Sequence, residues 1–153
     1  MESLPKDLRR KLALELSPSD LIRFCVSEKK MYQEICESKE FWREKIRRDF
    51  PEVFNYFERH KMVLRNPKNT YIRKFTEVSK FIDEFVQSYP ENIRAVLYND
   101  IYDIYEDKKR DLDVNYKKLS EVYKYNVHNR LDFENDVSKL IFQLMKIYDY
   151  YKK

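Results

Sequence analysis

Residues 4–21 read Leu4-Pro5-Lys6-Asp7-Leu8-Arg9-Arg10-Lys11-Leu12-Ala13-Leu14-Glu15-Leu16-Ser17-Pro18-Ser19-Asp20-Leu21, and two helix starts are written into them. Ser3 and Pro5 stand where a helix begins. Leu8, Leu12 and Leu16 then recur at intervals of four on one face, with Arg9, Arg10 and Lys11 largely turned away. Ser17 can cap a second helix, Pro18 suits its first turn, and Asp20 completes a capping-box pattern.

The same grammar continues outward. Leu21, Phe24 and Cys25 supply one apolar face, and Met31, Ile35 and Cys36 another after a polar break at Ser27-Glu28-Lys29-Lys30. Ser38 offers a cap, and Phe41, Trp42, Lys45, Ile46 and Phe50 follow at helical spacing until Pro51, which cannot continue a helix interior. Val53, Phe57, His60 and Leu64 predict a modest helix, with His60 on its apolar side, ending before Asn66-Pro67-Lys68-Asn69, which reads as the clearest loop. Tyr71, Phe75, Val78, Ile82 and Phe85 then form the cleanest seam in the chain. Ser88-Tyr89-Pro90 breaks that helix and starts one carrying Ile93, Leu97, Ile101 and Ile104. Leu112, Leu119, Val122 and Tyr123 predict a further helix, and Asp132 caps a last one bearing Phe133, Val137, Leu140, Ile141, Leu144 and Tyr148. The expected fold is all-α, with a helical module over residues 1–50 packed against a C-terminal helical bundle over 51–153, or one continuous domain.

Composition narrows the function classes. A chain of 153 residues supports one domain or two small helical subdomains. It holds no glycine. Phosphate-cradling loops, dinucleotide fingerprints, calcium-loop turns and the Gly-x-Ser-x-Gly nucleophile turn all need a residue without Cβ, so those enzyme classes drop out. Residues 1–76 carry 18 Lys+Arg against 12 Asp+Glu, and residues 77–153 carry 13 against 15. That excess favours an acidic partner for the first half, short of the concentrated basic face of a nucleic-acid binder. Cys25 and Cys36 read as buried thiols of a reducing compartment, with no secretory signal ahead of them. No apolar run approaches the roughly 20 residues needed to cross a bilayer.

Candidate chemistry is sparse. His60 and His128 lack companions at metal-ligand spacing, so neither a metal nor a cofactor is expected. Asp100, Asp103 and Asp107 form a carboxylate row that reads as a solvated face, partly paired with Lys108, Lys109 and Arg110. Ten of the 13 tyrosines occur from Tyr89 onward, mostly beside aliphatic residues with a core to fill, while Tyr148, Tyr150 and Tyr151 with Lys152 and Lys153 are candidates for contact with a partner. No catalytic residue is assigned, and an enzyme is not expected.

The order and spacing of Leu4-Pro5, the leucines at 8, 12 and 16, Ser17-Pro18-Ser19-Asp20-Leu21 and the later Phe41-Trp42 are similar to the F-box pattern. That pattern opens with a Leu-Pro pair, continues in a leucine-rich helix, turns at a Pro-x-Asp-Leu element and closes with a tryptophan. The glycine-free, Lys-, Tyr- and Asn-rich style of the whole chain looks like the F-box-like proteins of large DNA viruses of protists. The resemblance implies that Leu4, Pro5, Leu8, Leu12, Leu16, Leu21 and Trp42 contact a Skp-type adaptor of cullin-RING ubiquitin ligases, or support that contact, while the remainder recruits an unidentified client. Met31-Tyr32 departs from the aromatic-then-basic pair of many members, and residues beyond 50 lack the repeats common in cellular ones.

The expected function is therefore that of a protein-interaction subunit, inside a cell, in cytoplasm or nucleus and the host's if the chain is viral, with no membrane span. The alternative is a helical structural or nucleic-acid-associated protein in which Arg9, Arg10, Lys11, Arg43, Arg47 and Arg48 meet phosphates.

Overall fold

The residues ahead of each helix decide where it starts. The computed structural model describes residues 5–27 and 33–153. Among the described residues the regular elements are nine α-helices: α1 (Lys6–Glu15), α2 (Pro18–Ser27), α3 (Gln33–Cys36), α4 (Lys39–Asp49), α5 (Pro51–Arg59), α6 (Pro67–Val86), α7 (Glu91–Lys109), α8 (Tyr116–Val122) and α9 (Arg130–Tyr150). The all-α expectation holds. Ser17 Oγ accepts from Asp20 N–H at 3.2 Å and Ser38 Oγ from Phe41 N–H at 3.2 Å, each satisfying a donor that the first helical turn leaves without a partner.

Three starts differ from expectation, and all involve asparagine. Asn66-Pro67 opens α6 instead of forming a loop: Asn66 Oδ1 accepts from Asn69 N–H at 3.2 Å, and Pro67 takes the first helical position, where its missing N–H is harmless. Asn129, not Asp132, caps α9, accepting from Leu131 N–H at 2.9 Å and Asp132 N–H at 3.2 Å. Asn115 caps α8, which leaves Leu112 outside the helix and exposed.

Two helices end in the way that usually calls for glycine. After α5, Lys61 N–H bonds Glu58 C=O and Met62 N–H bonds Phe57 C=O. After α7, Asp111 and Leu112 repeat the pattern on Lys108 and Asp107. Both are Schellman closures, with Lys61 at φ 53° and Asp111 at φ 58° in the left-handed position. His60 therefore closes α5 from an exposed position, not a partly buried one, its ring centroid 4.3 Å from that of Tyr56.

The chain divides into two compact units, Met1–Thr76 and Glu77–Lys153, with the division inside α6. The expected module of residues 1–50 lies wholly within the first, which also takes in α5 and the opening of α6. The reason is aromatic packing: Tyr71 of α6 sits 5.2 Å from Trp42 and 5.1 Å from Phe50, centroid to centroid, and all three are buried. Ala13, Leu21, Ile35, Cys36, Phe41, Ile46 and Val53 are the other buried apolar residues described in this unit.

The second unit is a separate cluster. Val78, Ile82 and Val86 of α6, Ile93, Leu97, Ile101 and Tyr105 of α7, Leu119 and Tyr123, and Phe133, Val137, Leu140, Ile141 and Leu144 of α9 are buried together, with α9 packing on both α7 and α8. The helical periodicity names nearly all of them. On α7, Tyr105 takes the buried place expected of Ile104, which is only half-buried.

Tyr123 gives this unit a titratable contact. Its hydroxyl donates to Asp100 Oδ2, and burial followed by that carboxylate pushes its pKa well above the ordinary tyrosine value of 10.0. A raised folded-state pKa means stabilisation that is complete below the unfolded value and lost as pH climbs through the folded one. Between about pH 9 and about pH 11, spanning the ordinary tyrosine titration, the urea midpoint of the wild type is expected to fall further than that of Tyr123→Phe. Equal slopes for the two proteins would rule this contribution out.

Candidate partner-docking surface

Helix α1 buries the opposite of what its leucine stripe suggests. Ala13, the smallest side chain of its second turn, is fully buried where α1 packs on α4, because a methyl group lets the two backbones approach closely. Leu8 is 43% exposed and Leu12 42%, one turn apart on the same face, and Pro5 at the helix entrance is exposed beside them in sequence. Leu16 is half-buried at the end of the helix. Leu21 and Trp42, by contrast, are 0% and 1% exposed. Leu4 lies outside the described residues. The residues assigned to the F-box-like face thus separate into an open group, Pro5, Leu8 and Leu12, and an internal group, Leu21 and Trp42, with Leu16 between.

What holds α1 in place is a lysine. Lys45, on the buried face of α4 with Phe41, Trp42 and Ile46, is 1% exposed. Its Nζ donates to the carbonyl of Leu14 at 2.8 Å and to that of Leu16, two acceptors at the end of α1 that no helical N–H can reach. Asp49 lies 3.0 Å from the same ammonium and also accepts from Tyr71 O–H at 2.6 Å. Burial pulls the Lys45 pKa below its ordinary value, while Asp49 acts in the opposite sense. Trp42 Nε1 donates to Cys36 C=O at 2.7 Å, which ties α3 to α4.

The basic residues proposed for phosphate contact are partly committed within the unit. Arg10 and Arg9 are half-buried, the Arg10 guanidinium 5.7 Å from the Phe41 ring centre. Arg48 meets Glu15 at 2.5 Å and Arg47 approaches Glu44 at 3.9 Å. Lys11 and Arg43 are exposed. A carboxylate beside two of the six cations weakens the field that a phosphate backbone needs.

The remaining candidates sort plainly. Cys25 and Cys36 are joined in a disulfide, their Cα atoms 5.7 Å apart, which replaces the expectation of two separate thiols; α2 and α3 bring the pair within bridging range. In the carboxylate row, Asp100 accepts from Tyr123 and Asp107 pairs with Arg110 at 2.8 Å. The Asp103 pKa is raised from its ordinary value by partial desolvation, then by Asp100 and Asp107. Lys109 pairs with Glu106 at 3.4 Å, its ammonium over the rings of Tyr105 and Tyr148. His128 is exposed. Among the described residues no group of three or more His, Cys, Asp or Glu could hold a metal ion, and no helix is long and apolar enough to cross a membrane.

Lys45 lies on the face its helical spacing predicts, and a lysine between Trp42 and Ile46 on an apolar stripe is the one sequence sign of its task. No protein-family model, curated protein or solved structure matches the chain.

Replacing Lys45 by methionine keeps the bulk and removes the donor. It is expected to lower stability by about 2 kcal/mol or more, since two part-buried carbonyls lose their donor and Asp49, left with the Tyr71 hydroxyl, loses its cation. Urea unfolding reads the loss, and hydrogen exchange reads faster opening at the end of α1. An unchanged urea midpoint would dismiss the anchoring role.

Proposed function

We propose that the chain is a non-enzymatic interaction subunit, docking through α1 onto a Skp-type adaptor of a cullin-RING ubiquitin ligase and presenting a client through the region beyond residue 50. The observation that carries this reading is the exposure of Pro5, Leu8 and Leu12 on a helix whose supporting residues, Leu21 and Trp42, are buried. Two leucines one turn apart, held by an anchored helix, are the anchors that helix-in-groove recognition uses. A helix fixed before binding loses less conformational freedom on association than one that must order first. The resemblance in residues 4–50 supplies the identity of the partner, and an adaptor of this kind places the protein inside a cell, the host's if the chain is viral.

The client side falls to residues 51–153, where Val96, Leu131, Phe142 and Tyr150 are exposed. Electrostatic engagement of Arg47 and Arg48 favours protein over nucleic acid as the partner of the first unit.

The double change Leu8→Asp and Leu12→Asp tests the reading directly. Both positions are about two-fifths exposed, so the double variant is expected to stay folded with a loss of about 1–3 kcal/mol, which circular dichroism and the urea midpoint check. Loss of two apolar anchors should weaken binding to a purified Skp-type adaptor by roughly 100-fold. Calorimetry on the two purified proteins measures it. Undetectable binding of the unchanged chain, or equal binding of the double variant, would remove the proposal.

A further inference from the structure

One cleft in the first unit has a sulfur–sulfur bond in its wall. Ile22, Val26, Trp42 and Ile72 line it with apolar surface around the Cys25–Cys36 disulfide, and Glu37 and Lys68 also line it, their charged groups 3.5 Å apart. Its volume of about 320 Å³ falls in the range of small-molecule sites. Glu37 is open to solvent and Lys68 half-buried, and a pair this accessible contributes little, so each can turn to a ligand group of opposite charge. An ammonium and a carboxylate beside a disulfide match a small thiol that carries both charges itself. We propose that the Cys25–Cys36 bond is an exchangeable site, opened by a zwitterionic peptide thiol seated in this cleft with a carboxylate on Lys68 and its ammonium on Glu37.

Cys25 is the sulfur that is attacked, being half-buried where Cys36 is buried. The incoming thiolate forms a bond to Cys25 Sγ as the Cys25–Cys36 bond breaks. The electron pair leaves on Cys36 Sγ, which takes a proton from water. A second molecule of the thiol then attacks the mixed disulfide, freeing the Cys25 thiol and departing as the small thiol's own disulfide. Two thiols are oxidised to one disulfide while the protein disulfide is reduced to two thiols, and the reverse sequence restores the bond. The hydrogen bond from Trp42 Nε1 to Cys36 C=O does not involve sulfur, so α3 keeps its attachment to α4 when the bond opens.

The full chain, purified without reductant, is treated with reduced glutathione or with uncharged 2-mercaptoethanol, and its free thiols are alkylated and counted by mass at intervals. Both reagents are expected to open the bond in the folded protein. Lys68→Glu should slow glutathione at least about threefold, the effect an exposed ion pair supports, and leave mercaptoethanol unchanged. Lys68→Gln should shift glutathione in the same direction by less, and carries the comparison if circular dichroism shows Lys68→Glu unfolded. The proposal is overturned if the bond resists both thiols until urea unfolds the chain. It is equally overturned if the Lys68 variants alter both reagents alike or neither, or if the purified chain holds two thiols that oxidised glutathione does not join. Adaptor binding does not enter any of these readouts.

Discussion

A single buried ammonium stands between the end of α1 and the aromatic core of the first unit. Lys45 reaches the carbonyls of Leu14 and Leu16 on one side and Asp49 on the other, and Asp49 passes the connection to the hydroxyl of Tyr71. Taking a lysine out of water is costly, and the structure offsets that cost with one full charge and two backbone dipoles at hydrogen-bond distance. The arrangement is directional in a way that apolar packing is not: α1 cannot slide along α4 without breaking both carbonyl contacts at once. Because Ala13 alone of the described α1 residues is fully buried, packing by itself would specify the position of that helix poorly. The lysine supplies the register.

That register explains how a helix can leave leucines in water and still be ordered. Most short helices are held by burying their apolar stripe. Here the stripe is open, and the helix is retained by Ala13, by the lysine beneath its last turn, by Arg10 over Phe41 and by the pair of Glu15 with Arg48. The surface pairs add little individually. The second unit follows the ordinary scheme, its long helices joined by a contiguous apolar cluster, with polar contacts such as Tyr98 to Ser79 and Tyr123 to Asp100 at its margin.

Helix type and most core positions were legible because periodicity reports them directly: Phe41, Trp42, Lys45 and Ile46 on α4 with Phe50 just after it, and Phe133, Val137, Leu140, Ile141 and Leu144 on α9, are buried at the spacing they show in sequence. Which side of α1 is covered was not legible, since Leu8, Leu12 and Leu16 define a stripe but carry no information about the neighbour that would cover it. Nor was the task of Lys45, whose acceptors are backbone carbonyls and therefore leave no trace in residue type. The disulfide escaped because Cys25 and Cys36 belong to different helices and meet only through their packing. Asn66-Pro67 was read as a loop because the same two residues serve equally as a turn and as a helix cap; the seam beginning at Tyr71 decides between them only once the helix is seen to extend back to Pro67.

The open face of α1 also couples the fate of the folded chain to its surroundings. Any species that covers Pro5, Leu8 and Leu12 only when α1 is formed raises the free energy of unfolding in proportion to the logarithm of its own concentration. A chain left in excess of that species keeps its leucines in water, where self-association and proteolytic opening compete for it. Its steady-state abundance would then be set by titration against whatever covers the face, so that two proteins made at unequal rates would accumulate at matched levels.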